Sequence, residues 1–266
     1  MTTYAPIIET ATAPDGVPIR YEVAGEGKPP IVFVHGWCCD RSYWAAQMRA
    51  FSASHRVVAL DLGGHGESGM ARQDWTMQAF GADVAAVLAA LNLECAVLVG
   101  HSMGGPVIVE AARAAPERVA ALVAVDYFNN VGRPLDETAH ADQLVRLRAD
   151  FHGEAIKWVR TFFPGHADET FVERIAKAMA AAPSAVGISA LDNLRRYNDA
   201  AAFKETQIPM RLINSDLWPT DLAAARRAKP DVQLAVLTRA SHFLQMEDPD
   251  EFNRLLARAV REMCGS

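Results

Sequence analysis

Short apolar runs of strand length alternate along the chain with amphipathic stretches of helix length. Residues 17–23 alternate apolar and polar positions, as a half-exposed strand does, whereas Ile31-Val32-Phe33-Val34 is apolar throughout and reads as a strand buried on both faces. Residues 56–60, 96–99, 119–125, 210–213 and 233–237 repeat that signature. Helix-length patterns fall between them at 43–54, 76–91, 103–114, 220–228 and 250–263, the last opening on Asp248-Pro249, a favourable helix start. The alternation predicts an α/β fold: a mostly parallel central sheet with helices on both faces.

One interval breaks the rhythm. From 127 to 207 only helix-like segments occur, among them 136–151, 154–163 and 168–181. Its place between two strong strands predicts a helical cap at 127–207, inserted over the strand ends where such sheets bind ligands, with the core formed by 1–126 and 208–266.

Composition narrows the class. The chain of 266 residues is 50% hydrophobic and 22% charged, as ordinary globular proteins are. Its net charge is -6, and its 26 Lys and Arg are scattered without a basic stripe, so no nucleic-acid partner is expected. No apolar run reaches bilayer length, and Met1-Thr2-Thr3-Tyr4-Ala5-Pro6 lacks the features of a secretory leader; a cytoplasmic monomer or homodimer with no membrane partner is expected. Cys38, Cys39, Cys95 and Cys264 show no metal or redox spacing, so all four read as free thiols, and neither metal nor cofactor is expected.

The candidate chemistry lies at Gly100-His101-Ser102-Met103-Gly104. This G-x-S-x-G run follows the strand at 96–99 and opens a helix, the setting in which a sharp turn exposes a nucleophilic serine. A serine hydroxyl is a weak nucleophile at neutral pH and needs a base. His242 follows the strand at 233–237 and precedes the last helix, which suits that role. His35 and His65 lie in His35-Gly36 and Gly64-His65-Gly66, where imidazole hydrogen bonds would fix turns. The oxyanion of an acyl-transfer intermediate needs two N–H donors. Met103, directly after the serine, and Trp37, in the loop after the strand at 31–34, are the candidates.

Val34-His35-Gly36-Trp37, Asp61-Leu62-Gly63-Gly64-His65-Gly66-Glu67-Ser68, Gly100-His101-Ser102-Met103-Gly104-Gly105 and Ser241-His242-Phe243 together resemble the α/β-hydrolase superfamily. The resemblance runs in order from about residue 17 to the C-terminus outside the cap. It implies a serine hydrolase of the esterase type, with a triad of serine, histidine and acid. In many members the acid is the second Asp of a G-D-x-D-like turn after the cap. Here that stretch is Asn214-Ser215-Asp216-Leu217-Trp218-Pro219, with Trp218 at the second position. Asp126, closing the strand at 119–125, is the leading candidate, because haloalkane dehalogenases and some cofactor-free dioxygenases of the superfamily are similar in placing their acid there. Asp216 is the alternative and Asp221 a third candidate.

Trp158, Phe162 and Phe163 in the cap, and Phe128 at its start, are the candidate pocket residues. They carry no charge for an ionic substrate and imply a small to medium, largely apolar carboxylic ester. Other readings remain open at this point. One is a cofactor-free dioxygenase of the quinaldine type, resembled in Gly36-Trp37-Cys38 and in a His242/Asp126 dyad, although that family's second histidine is Cys39 here. The others are a carbon-carbon bond hydrolase and a non-enzymatic ligand receptor. Serine at 102 argues against the dehalogenase and epoxide-hydrolase readings, which need a carboxylate nucleophile.

Overall fold

The apolar runs form the interior of an eight-stranded sheet in a computed structural model that describes residues 4–265; Met1-Thr2-Thr3, the start of the segment weighed above as a leader, and Ser266 lie outside it. The strands are β1 (Ile7–Thr12), β2 (Pro18–Ala24), β3 (Ile31–Val34), β4 (Val57–Leu60), β5 (Ala96–His101), β6 (Val119–Val125), β7 (Met210–Ser215) and β8 (Gln233–Leu237), in the spatial order β1-β2-β4-β3-β5-β6-β7-β8. From β4 to β8 every pairing is parallel, and β1 and β2 add an antiparallel edge. The fold is thus the mostly parallel α/β arrangement expected.

Strand periodicity divides the core between the two faces. Val32, Val34, Val58, Leu60, Leu98, Leu122 and Ala124 point to one side, against α2 (Met77–Ala90) and α3 (Gly104–Ala114). Ile31, Phe33, Val57, Ala59, Val97, Val99, Val123 and Val125 point to the other, against α1 (Ala45–Phe51) and the C-terminal helix. A 3-10 turn at Arg41–Trp44 leads into α1, so the helix begins later than the sequence pattern implied.

Five helices fill the interval between β6 and β7: α4 (Glu137–Ala149), α5 (Phe151–Arg160), α6 (Glu169–Ala180), α7 (Ser184–Arg196) and α8 (Asp199–Glu205). Aspartate side chains accept from the first turns of α4, α5 and α6, at Asp136, Asp150 and Asp168, which starts each helix sharply. The insertion rests on loops that follow strand C-termini. Trp37 Nε1 donates to Gly187 O at 2.7 Å, Trp75 N to Ser189 Oγ at 3.3 Å, and His242 N to Phe162 O at 3.0 Å.

After β7 come α9 (Leu222–Ala228), the single turn α10 (Leu244–Glu247) and α11 (Pro249–Cys264). In α11 the buried side chains are Phe252, Leu255, Leu256, Ala259 and Val260, a stripe at helical spacing, and Asp248 accepts from Glu251 N at 3.1 Å. Among the described residues no helix is long and apolar enough to cross a membrane.

Candidate active site

Ser102 sits between β5 and α3 with φ of 53°, a left-handed conformation costly for a residue with a Cβ. The surroundings hold it there. Ser102 N donates to Val125 O at 2.8 Å, and Gly105 N donates to Ser102 O at 2.7 Å. The flanking glycines have a steric cause. A Cβ on Gly100 would lie 2.1 Å from Gly104 O, and one on Gly104 would lie 2.6 Å from Val34 O. Larger residues would force β5 and α3 apart and open the turn.

The next strand carries the candidate acid. Asp126 follows β6, also at positive φ (48°), and its N–H donates to Ile213 O at 3.0 Å. Its Oδ1 accepts from Ser215 N at 2.8 Å and Ser215 Oγ at 3.0 Å, which leaves Oδ2 to accept from His242 Nδ1 at 2.6 Å. Asp126 is 2% exposed and His242 6%, so this bond is shielded from water and sets the imidazole with Nε2 free for a second partner.

Asp216 and Asp221 are held elsewhere. Asp216 is exposed, and its Oδ1 accepts from Arg239 N at 2.8 Å, pinning the start of the loop that carries His242. Asp221 caps α9 through Ala224 N at 2.8 Å. The structure therefore brings Asp126, not these two, to His242.

The His242 loop has a support that the sequence did not single out. His101 Nε2 donates to His242 O at 2.7 Å. Burial, reinforced by His242 beside it, holds His101 well below the usual imidazole range, so it stays neutral with one fixed hydrogen. Sequence adjacency to Ser102 was the available signal, but neighbouring strand residues point to opposite faces.

Met103 follows the serine and stands at the N-terminus of α3; Trp37 lies in the loop after β3. Among the described residues neither backbone N–H donates to a protein acceptor. Two buried imidazoles brace that loop and the next. His35 Nδ1 donates to Gly36 O at 2.8 Å while its Nε2 accepts from Leu62 N at 3.0 Å, and His65 Nδ1 donates to Gly63 O at 3.0 Å.

Ser102, Asp126 and His242 all contribute to the wall of one cavity of about 1100 Å³ beneath the helical insertion. Trp37, Trp158, Phe162 and Phe128 line it too. Trp218, at the position where an acid was sought, lies 5.2 Å from the His242 ring between centroids. Phe163 is placed behind the wall, stacked on Phe243 at 5.4 Å. The cavity is not apolar throughout: Arg133, His140, Arg195 and Asp199 also line it. Among the described residues no three His, Cys, Asp or Glu side chains converge to hold a metal ion.

The sequence model of the alpha/beta hydrolase family matches residues 31–255, which contain all of these elements. A dihydrolipoyllysine-residue acetyltransferase component of the acetoin cleaving system from Pseudomonas putida is 29% identical over 91% of the chain, which spans only 66% of that protein. A 3-oxoadipate enol-lactonase from Acinetobacter baylyi is 27% identical over 90% of the chain and 91% of its own length. The crystal structure of an esterase from Rhodococcus sp. ECU1013 superposes with a TM-score of 0.78 at 26% identity, covering 96% of this chain and 99% of that one.

Proposed function

Because the chain belongs to the alpha/beta hydrolase family, we propose that it is a serine hydrolase cleaving small to medium carboxylic esters through an acyl-enzyme on Ser102. The observation that carries this reading is the buried 2.6 Å bond from His242 Nδ1 to Asp126 Oδ2, in the wall of the cavity that Ser102 also lines.

In the proposed cycle Ser102 Oγ attacks the ester carbonyl as His242 Nε2 takes its proton. Asp126 stabilises the imidazolium through Nδ1 and does not itself take the proton. Charge on the carbonyl oxygen is met by the Trp37 and Met103 N–H groups, with the N-terminal end of α3 adding to the field. The imidazolium then protonates the leaving alcohol. Water, deprotonated by His242, attacks the acyl carbonyl, and the imidazolium returns that proton to Ser102 Oγ as the intermediate collapses to the free acid. The helical insertion acts as a cap whose aromatic side chains receive the apolar part of the substrate.

The esterase and lactonase relatives, both of nearly the same length as this chain, support ester hydrolysis over the dioxygenase alternative. Position 39, a histidine in the quinaldine-type enzymes, is a buried cysteine whose thiol donates to Trp37 O at 3.4 Å. Ser102→Ala is expected to abolish p-nitrophenyl acetate turnover while leaving the circular dichroism spectrum unchanged. Turnover at the wild-type rate would overturn the proposal.

A further inference from the structure

We propose that Asp199 forms a polar subsite in the cavity wall, accepting a hydrogen-bond donor, hydroxyl or ammonium, carried on the substrate. The inference rests on the serine-hydrolase reading for what the cavity binds and narrows the substrate to an ester with a donor-bearing tail.

Among the described residues the buried carboxylates each have a cationic or imidazole partner: Asp61 with Arg41, Asp83 with Arg72, Glu110 with Arg113 and Asp126 with His242. Asp199, half-buried in the cavity wall, has none. Its side chain accepts only from Tyr127 Oη, at 3.3 Å to one oxygen and 3.4 Å to the other, a long contact shared between both. Arg133 and Arg195 line the same cavity, yet among the described residues neither is ion-paired with it. Burial pushes the Asp199 carboxyl up to about 7, against the lowering effect of the Tyr127 bond.

Tyr127 ties this carboxylate to the reaction centre. A Cβ on Gly105, three residues after Ser102, would meet Tyr127 Cβ at 3.0 Å, and from there the tyrosine side chain extends to Asp199. One side chain therefore separates the nucleophile's turn from the unpaired acid. A substrate acylating Ser102 and lying along Tyr127 would bring its tail to Asp199. Ionised above about pH 7, the carboxylate gains more from a donor than a neutral acceptor does, and discriminates against a tail that lacks it.

The test compares p-nitrophenyl hexanoate with its ω-hydroxy and ω-amino counterparts, and the octanoate set as a longer series. Wild-type protein is expected to prefer at least one donor-tipped ester over its methyl-tipped match by about tenfold in kcat/KM, mainly through KM. An advantage for hydroxyl identifies a neutral donor as the natural tail, and one for ammonium a cation; either supports the subsite. Asp199→Leu should reverse the preference toward methyl, and Asp199→Asn, closer in shape, should remove any ammonium advantage. Calorimetric titration of Ser102→Ala protein with hexanol, hexanediol and aminohexanol reads the same preference without turnover. No advantage for either donor in both assays, or an advantage that persists in folded Asp199→Leu protein, overturns the subsite. Loss of turnover for every ester, with the calorimetric preference retained, would instead overturn the hydrolase reading.

Discussion

The backbone N–H of His242 donates to the carbonyl of Phe162 at 3.0 Å, so the loop carrying the proposed base is hydrogen-bonded to the helical insertion. The Phe162 ring also packs edge-on against the imidazole, 5.1 Å between centroids, and against Trp158 at 5.1 Å. With Trp37 Nε1 bound to Gly187 O, the insertion is linked to both the proposed base and the loop that carries a proposed oxyanion donor. In this arrangement the insertion helps position the proposed reacting groups as well as enclosing them.

Phe162→Ala therefore should lower kcat more than truncation of Phe128, a wall residue with no ring contact to His242, would. Loss of the ring frees the imidazole on one side, and misplacement of a base costs rate even when the fold persists. A fall of about tenfold in kcat, equivalent to about 1.4 kcal/mol, is expected from steady-state assays with a short-chain ester.

The two candidate acids should separate cleanly. Asp126→Asn removes the acceptor that fixes the His242 tautomer and should lower kcat by about 10⁴-fold. Asp216→Asn weakens only the bond to Arg239 N, on an exposed turn, and should leave kcat within about threefold, in keeping with the small effects of surface changes. Parallel kinetics on the two variants check the assignment.

Stability should fall between neutral and mildly acidic pH. Burial lowers His35 from 6.5 to about 4 and His65 to about 3, and holds His101 well below its ordinary range. The unfolded chain then takes up three protons below pH 6.5 that the folded chain refuses. Their contribution is fully present above about 6.5 and is lost as pH falls toward 4. Asp199, raised to about 7, takes up one proton on folding in the same window and offsets part of the loss. The net sign remains destabilising on acidification. Urea midpoints at pH 7.5 and 5 should show it, the latter lower.

Gly100→Ala tests the turn itself. The added Cβ would lie 2.1 Å from Gly104 O and 3.0 Å from Gly105 N, both backbone atoms that cannot rotate away. A loss of about 3 kcal/mol or more in unfolding free energy, by denaturant melt, is expected.

Much of the sheet was legible because its strands are apolar on both faces: β3 and β8 were marked to the residue, and β5 only ran two residues further, into the turn. β1 was not. It is an exposed edge strand, Ile-Ile-Glu-Thr-Ala-Thr, with a single buried position, and it is held by backbone pairing to β2 rather than by a hydrophobic pattern. In the site, the G-x-S-x-G turn was readable because strain, small flanks and helix start act on neighbouring residues. The choice between Asp126 and Asp216 rested on the resemblance, which favoured Asp126, because both follow parallel strands and nothing local separates them. It is decided by partners far away in sequence, Ser215 for one and Arg239 for the other. Phe162 and Phe163 likewise look equivalent in sequence, yet one faces the cavity and its neighbour stacks on Phe243. The unpaired Asp199 was hidden because pairing is a tertiary property.

The most direct measurement is peptide mass spectrometry after incubation with a p-nitrophenyl alkylphosphonate, an analogue of the tetrahedral intermediate. The expected result is one phosphonyl group per chain, on the peptide containing Ser102, with loss of esterase activity in proportion to labelling and no label on Ser102→Ala. Full ester turnover with Ser102 unlabelled, or labelling elsewhere that tracks inactivation, would contradict an acyl-enzyme at this serine.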